Sequence, residues 1–223
     1  MRLIEYPDRA QLYQGLARAV AEGLAAELAA KGRASLSVPG GTTPGPVFDL
    51  LAQMPLDWAH VAVVLNDERW VGEDSPRSNT ALLRARLFQG RAAVAQLVPL
   101  YAPAPKPEDR LAELGAGLAP HLPISVLLLG MGADMHTASL FPGADLLVLA
   151  LAEDAPPLMA LRAEAAGEPR ITLTAPVLRA AKTIHLLITG AEKREALLRA
   201  LDLPADQAPI QCVLETATVH WAE

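Results

Sequence analysis

The stretch Val126-Leu127-Leu128-Leu129-Gly130-Met131-Gly132-Ala133-Asp134-Met135-His136-Thr137-Ala138-Ser139-Leu140-Phe141-Pro142 decides how this chain is read. Its opening apolar run predicts a buried strand. The run stops at two glycines, after which Asp134, His136, Thr137 and Ser139 follow in quick succession. A strand that ends in glycine and delivers polar side chains places them at the carboxyl edge of a sheet, where open α/β sheets bind ligands. Histidine is the side chain best matched to proton transfer near neutral pH. The same residues also suit a glycine loop with a helix cap, Asp134 or Thr137 as N-cap and His136 on the surface. The density of chemical side chains favours a site.

Outward from that strand, apolar runs and helical patterns alternate. Residues 2–6 predict an edge strand. Asp8 predicts the N-cap of a long helix reaching about Lys31, because Leu12, Leu16, Val20, Leu24 and Leu28 recur every four residues; Gly32 is its natural stop. Strands are predicted at 35–38, 60–65, 124–129, 170–174, 183–189 and 218–221, with a short one ending at 99–100. Helices are predicted at 44–54, 78–88, 108–118, 176–181 and 192–201, and residues 152–169 read as a loose segment. Central strands that are apolar throughout and alternate with helices predict an α/β fold, a mostly parallel sheet with helices on both faces. No repeat, low-complexity tract or linker interrupts residues 1–223, which predicts a single domain.

Composition narrows the function classes. The chain is 52% hydrophobic with few aromatics, so Ala, Leu and Val must build the core. The formal net charge of −6 argues against a general binder of nucleic acid or anionic membranes. Cys212 is the single cysteine; its apolar neighbours mark it as a core filler, and no disulfide framework or Cys-rich metal site is available within the chain. The first residues lack a signal-peptide pattern and no apolar run is long enough to span a bilayer, so a cytoplasmic protein is expected.

Further loops fall at predicted strand ends. Gly40-Gly41-Thr42-Thr43 follows one strand and opens a helix, so its backbone N–H groups and hydroxyls suit an anion as well as an ordinary capped turn. Asn66-Asp67-Glu68-Arg69 follows another, and Ser75-Pro76-Arg77-Ser78-Asn79 caps the next helix, with Ser78 as cap. Arg69 and Arg77, taken singly, read equally as solvated surface. Lys193 lies in the first turn of a helix, where a cation opposes the helix dipole unless an anion is shared. Asp134 and His136 have no third metal ligand at a suitable spacing, and the Gly130-x-Gly132 pair lacks the third glycine of a dinucleotide fingerprint. Neither metal nor nucleotide cofactor is expected.

The ordered set of these motifs, with Arg170-Ile171-Thr172-Leu173-Thr174 and Gly190-x-x-Lys193, resembles the 6-phosphogluconolactonase family over nearly the whole chain. That resemblance implies a Rossmann-like fold shared with glucosamine-6-phosphate deaminase. It also implies hydrolysis of 6-phosphoglucono-δ-lactone in the oxidative pentose phosphate pathway, without metal or cofactor. By the resemblance His136 is the general base that activates water, and Asp134 or Asp67 orients its imidazole. Backbone N–H groups of the glycine loop or Arg69 stabilise the tetrahedral intermediate. Gly40, Gly41, Thr42, Thr43, Arg77, Arg170 and Lys193 are the candidate substrate and phosphate contacts. A phosphorylated sugar lactone is then the partner, with no nucleic acid and no membrane, and the chain is a monomer or a dimer. The family usually carries glycine where Met135 stands, which predicts an altered loop geometry. A sugar-phosphate isomerase or deaminase of the same fold is the first rival, disfavoured because no acidic residue follows closely after His136. A non-catalytic sugar-phosphate-binding module is the second.

Overall fold

The apolar runs become the middle of one sheet. The computed structural model describes residues 1–223, the side chain of Ala165 excepted. In chain order the elements are β1 (Arg2–Glu5), α1 (Arg9–Lys31), β2 (Ala34–Val38), α2 (Gly45–Leu51), β3 (Val61–Leu65), β4 (Asp67–Arg69), α3 (Asn79–Arg86), β5 (Gln96–Val98), α4 (Leu111–Leu118), β6 (Val126–Gly130), α5 (Leu147–Leu151), β7 (Leu158–Leu161), β8 (Arg170–Leu173), α6 (Ala175–Arg179), β9 (Thr183–Thr189), α7 (Ala191–Ala200), α8 (Gln211–Leu214) and β10 (Thr218–Ala222).

The main sheet has seven strands in the order β1-β10-β9-β6-β2-β3-β5, and every pairing in it is parallel. All five residues of β2 and of β3 are buried, as are the first four of β6, which explains their continuous apolar reading. From β2 the chain proceeds to β3 and β5 on one side; from β6 it proceeds to β9 and β10 on the other. The strand order therefore reverses between β2 and β6, and a crevice opens beyond their carboxyl ends. Asn66, fully buried, pins that point: it accepts from Ser37 Oγ at 2.6 Å and donates to the Leu128 carbonyl at 2.8 Å, tying β2 to β6.

Helix α1 forms where its leucine stripe requires it. Leu12, Leu16, Val20 and Leu24 are fully buried, each contributing about 1.5–3 kcal/mol of apolar burial. Asp8 caps it by accepting from the Gln11 N–H at 2.7 Å, and Gly32 ends it.

Several expectations need correction. The helix expected over 44–54 is shorter, because the Gln53 and Met54 N–H groups donate to carbonyls three residues back and tighten the chain into a turn. The helix expected over 108–118 begins as a 3-10 turn over Pro107–Arg110. The strand expected to end at 99–100 is Gln96–Val98. Residues 67–69, read as a loop, are β4, and the loose segment 152–169 contains β7. Both belong to a second, antiparallel sheet in the order β4-β8-β7, organised around the Arg170 strand. The sequence of β7, Leu-Met-Ala-Leu, has neither β-branched residues nor alternation; its pairing with β8 makes it a strand. No helix of the described residues is long and apolar enough to cross a membrane.

Candidate active site

The β6 strand delivers its glycine loop directly into the crevice. After Gly130 the chain closes a turn, with the Met135 N–H donating to the Gly132 carbonyl and the Gly132 N–H to the His136 carbonyl, both at 3.0 Å. Thr137 Oγ1 ties the far side back to the Gly130 carbonyl at 2.9 Å. Neither Asp134 nor Thr137 caps a helix; the segment folds back on itself through a bridge between Thr137 and Leu140. Gly132 is required by close approach. A Cβ there would lie 2.3 Å from both Asp134 Oδ1 and His136 Nδ1. Met135 adopts φ +65°. A left-handed turn there is one that glycine would take freely, and the methionine bears its strain, about 1–2 kcal/mol for a side chain with a Cβ.

His136 is held on two sides. Its Nδ1 lies 2.5 Å from Asp134 Oδ1. The hydrogen bond from His136 holds the Asp134 carboxyl below its usual range, with burial opposing. An ionised carboxylate has no proton to give, so Nδ1 is the donor, and in the neutral imidazole Nε2 then carries the lone pair. The imidazole face stacks on Phe141, with centroids 4.1 Å apart. The carboxylate bonded to the imidazole is therefore Asp134. Asp67 lies elsewhere in the crevice: it accepts from Ser139 Oγ at 2.5 Å and pairs with Arg170 at 3.4 Å.

A cleft of about 330 Å³ opens at this edge. Of the residues expected from sequence, it is lined by Gly40, Gly41, Thr43, Asp67, Arg69, His136, Arg170 and Lys193. Asp134 stands behind His136, outside the lining. Thr42 does not line the cleft; its carbonyl accepts from the Gly45 N–H at 3.2 Å. Arg77 does not line it either, and donates to Glu168 at 2.7 Å on the surface. Arg69 donates to the Arg77 carbonyl at 2.6 Å. Three cations against one lining carboxylate make the cleft positive on a chain whose net charge is −6.

Arg170 is the most confined of the three. It is 8% exposed, its guanidinium sits 5.8 Å from the Phe141 ring centroid, and its Nε has no partner. Burial pushes its proton affinity down, with Asp67 opposing, and the guanidinium nevertheless stays charged.

Sequence reasoning missed the parts that hold the site in place. Fully buried Glu68 accepts from the N–H groups of Arg69, Asn79 and Thr80 and from the hydroxyls of Ser78 and Thr80, at 2.7–3.2 Å. It thereby locks β4 to the start of α3, where Ser78 also accepts from the Ala81 N–H. Asn79 closes the cleft over Gly40; a Cβ on that glycine would lie 2.0 Å from the Asn79 amide. Phe141 was legible only as an apolar residue ending the motif. Among the described residues, no group of three or more His, Cys, Asp or Glu is placed to hold a metal ion.

Known proteins share this architecture. Residues 7–221 match the family described as glucosamine-6-phosphate isomerases/6-phosphogluconolactonase. The chain is 44% identical to the 6-phosphogluconolactonase of Mesorhizobium japonicum, over 97% of this chain and 93% of that one. It is 41% identical to the one from Rhizobium meliloti, over 100% and 98%. The crystal structure of a 6-phosphogluconolactonase from Shewanella baltica OS155 superposes with a TM-score of 0.96 at 33% identity, covering 100% of this chain and 98% of that one. The chain belongs to the glucosamine-6-phosphate isomerase/6-phosphogluconolactonase family.

Proposed function

We propose that the protein hydrolyses 6-phospho-D-glucono-1,5-lactone to 6-phospho-D-gluconate, the lactonase step of the oxidative pentose phosphate pathway, with His136 activating the water. The observation that carries this reading is the Asp134–His136 pair at 2.5 Å, which leaves Nε2 as a base in a cleft lined by Arg69, Arg170 and Lys193. Nε2 takes a proton from water as the water oxygen attacks the lactone carbonyl. Asp134 holds the tautomer and stabilises the imidazolium that forms. The negative charge that develops on the former carbonyl oxygen is met by Arg69 or by backbone N–H groups of the glycine loop. Collapse of the intermediate breaks the bond to the ring oxygen, and the imidazolium returns its proton to that oxygen. The acid so formed ionises and releases a proton to solvent.

Arg170, Lys193, Gly41 and Thr43 hold the substrate phosphate in this reading, which fixes the sugar and reduces the entropy cost of attack. Arg77, on the surface with Glu168, and Thr42 contribute through the loops that carry them. The lone, half-buried Cys212, its thiol pushed up to about 12 by desolvation, suits a reducing compartment and a cytoplasmic enzyme. Residues 1–223 act as one domain, and nothing in the reaction calls for a second subunit.

The test is acid release from freshly made phosphorylated lactone and from gluconolactone, corrected for spontaneous opening. Wild type should accelerate the phosphorylated lactone strongly, and Arg170→Ala and Lys193→Ala should lose at least about tenfold in kcat/KM on it while changing little on gluconolactone. Equal losses on both substrates would remove these residues from phosphate binding. Ammonia release from glucosamine 6-phosphate without acid release from the lactone would replace the whole reading with the deaminase one.

A further inference from the structure

A second cavity, of about 280 Å³, lies at the opposite edge of the main sheet. Much of its wall comes from the starts of parallel strands or the segments just before them, Arg33 and Ser35 at β2, Ala62 at β3, Gln96 at β5, Ser125 before β6 and Lys182 before β9, and the end of α1 adds Glu27 and Lys31. The candidate active site lies beyond the carboxyl ends of the same strands. One strand of five residues spans about 17 Å, so the two cavities are separate.

Its charge is the reverse of the molecule's. Lys31, Arg33 and Lys182 line it, against Glu27 as the one lining carboxylate. Glu27 bonds Lys182 and lies 4.0 Å from Lys31, so a single acid serves two lysines. Among the described residues no carboxylate lies within ion-pair distance of Arg33. The carboxyl end of α1, closed at Gly32, offsets roughly half a charge more. A surplus above one positive charge remains, on a chain with 25 acidic and 19 basic residues. The crowding is felt locally: the like-charged Lys182 ammonium beside it holds Lys31 below its usual range.

Neutral donors complete the wall. Ser35 and Ser125 are buried and clasp each other, each N–H donating to the other's hydroxyl oxygen at 3.0–3.1 Å. Only one of the two hydroxyls can donate across the 3.5 Å between them, which leaves at least one O–H for a ligand. His121 also lines the cavity, and burial together with Arg33 lowers its proton affinity, so at neutral pH its ring carries one N–H and no charge.

We propose that this cavity is a second anion site, which takes a compact phosphate-bearing dianion up to the size of a sugar phosphate. Two ammonium groups, a guanidinium, the His60 and His121 imidazoles and a hydroxyl approach from the end of α1 and from the segments that lead into the strands, an arrangement suited to the several outward-facing oxygens of a phosphate rather than to a planar carboxylate. The volume is close to that of the candidate active site.

The five histidines give a direct readout, because His60 and His121 line this cavity and His136 the other; His121 is followed as the reporter. The experiment follows imidazole resonances by NMR while the whole protein is titrated with inorganic phosphate, and separately with succinate, against sodium chloride of equal ionic strength. The His121 signal should shift saturably with phosphate, along a curve independent of that of His136. A Lys31→Ser/Arg33→Ser double variant, both positions exposed, should weaken the His121 curve at least about tenfold and leave the His136 curve in place. Succinate should bind His121's cavity at least about tenfold more weakly than phosphate. No saturable His121 shift at phosphate concentrations on the order of tens of millimolar, an unchanged curve in the double variant, or succinate matching phosphate would overturn the proposal. A failure of the lactonase reading appears at His136 alone and is distinguishable.

Discussion

Asp134 matters through a proton it never holds. Its 2.5 Å contact to Nδ1 fixes which imidazole nitrogen faces the cleft. Asp134→Asn keeps the shape, but its amide nitrogen can donate to Nδ1 and so stabilise the wrong tautomer. Buried triads lose about 10⁴-fold in kcat on this change. Asp134 is half exposed, so the expected loss is smaller, about 10²–10³-fold in kcat with KM little changed. Steady-state kinetics of the variant check this; near wild-type kcat would remove Asp134 from orienting the base. His136 and Asp134 were both legible in the sequence, yet the choice between Asp134 and Asp67 was not. Both acids follow apolar strands, and only the fold shows that Asp67 is taken by Ser139 and Arg170. The consequence of Met135 was also hidden, since a sequence cannot show that a methionine will accept a positive φ.

Among the elements, β4 and α3 depend on one carboxylate. Glu68 receives five hydrogen bonds, among them those from the Asn79 and Thr80 N–H groups at the amino end of α3, where a negative charge is favoured. Glu68→Gln replaces an acceptor oxygen with an NH₂ group that faces donors, and should cost about 2–4 kcal/mol. Urea denaturation measures it; a loss within about 0.5 kcal/mol would show that the knot is not structural. This lock was invisible in advance because Asn66-Asp67-Glu68-Arg69 has the composition of a surface turn. The main sheet was legible because its strands are buried on both faces and read as continuous apolar runs. The helix α1 was legible from its stripe and caps. The second sheet was not, because β4 is charged and β7 carries no strand pattern, so both exist through pairing with β8. Helices α5 and α8, of five and four residues, are too short for periodicity to register.

At the scale of the whole molecule, a hydrogen-bonded chain remote from the cleft joins Tyr6, just after β1, to β10 and β9. Tyr6 OH lies 2.9 Å from His220 Nδ1, and His220 Nε2 lies 3.0 Å from His185 Nδ1. Burial lowers His185 to about 4 and, with His185 and Arg2 nearby, His220 to about 3. Both folded values lie below the unfolded value, so as pH falls the unfolded chain binds protons first. The stability is complete above about pH 6.5 and declines as pH drops towards the folded values, by about 2 kcal/mol per histidine at pH 5. His185→Leu should therefore lose less stability than wild type between neutral pH and pH 5, measured by urea midpoints. An identical loss in both would show that these histidines do not titrate with unfolding. The central claim is that His136 in this cleft activates water against a phosphorylated lactone. The most direct measurement is the initial rate of acid release from freshly made 6-phosphogluconolactone by wild type and His136→Asn, with circular dichroism confirming that both are folded. The account predicts a fall of about 10²–10⁴-fold in kcat; a folded His136→Asn variant that turns over near the wild-type rate would contradict it.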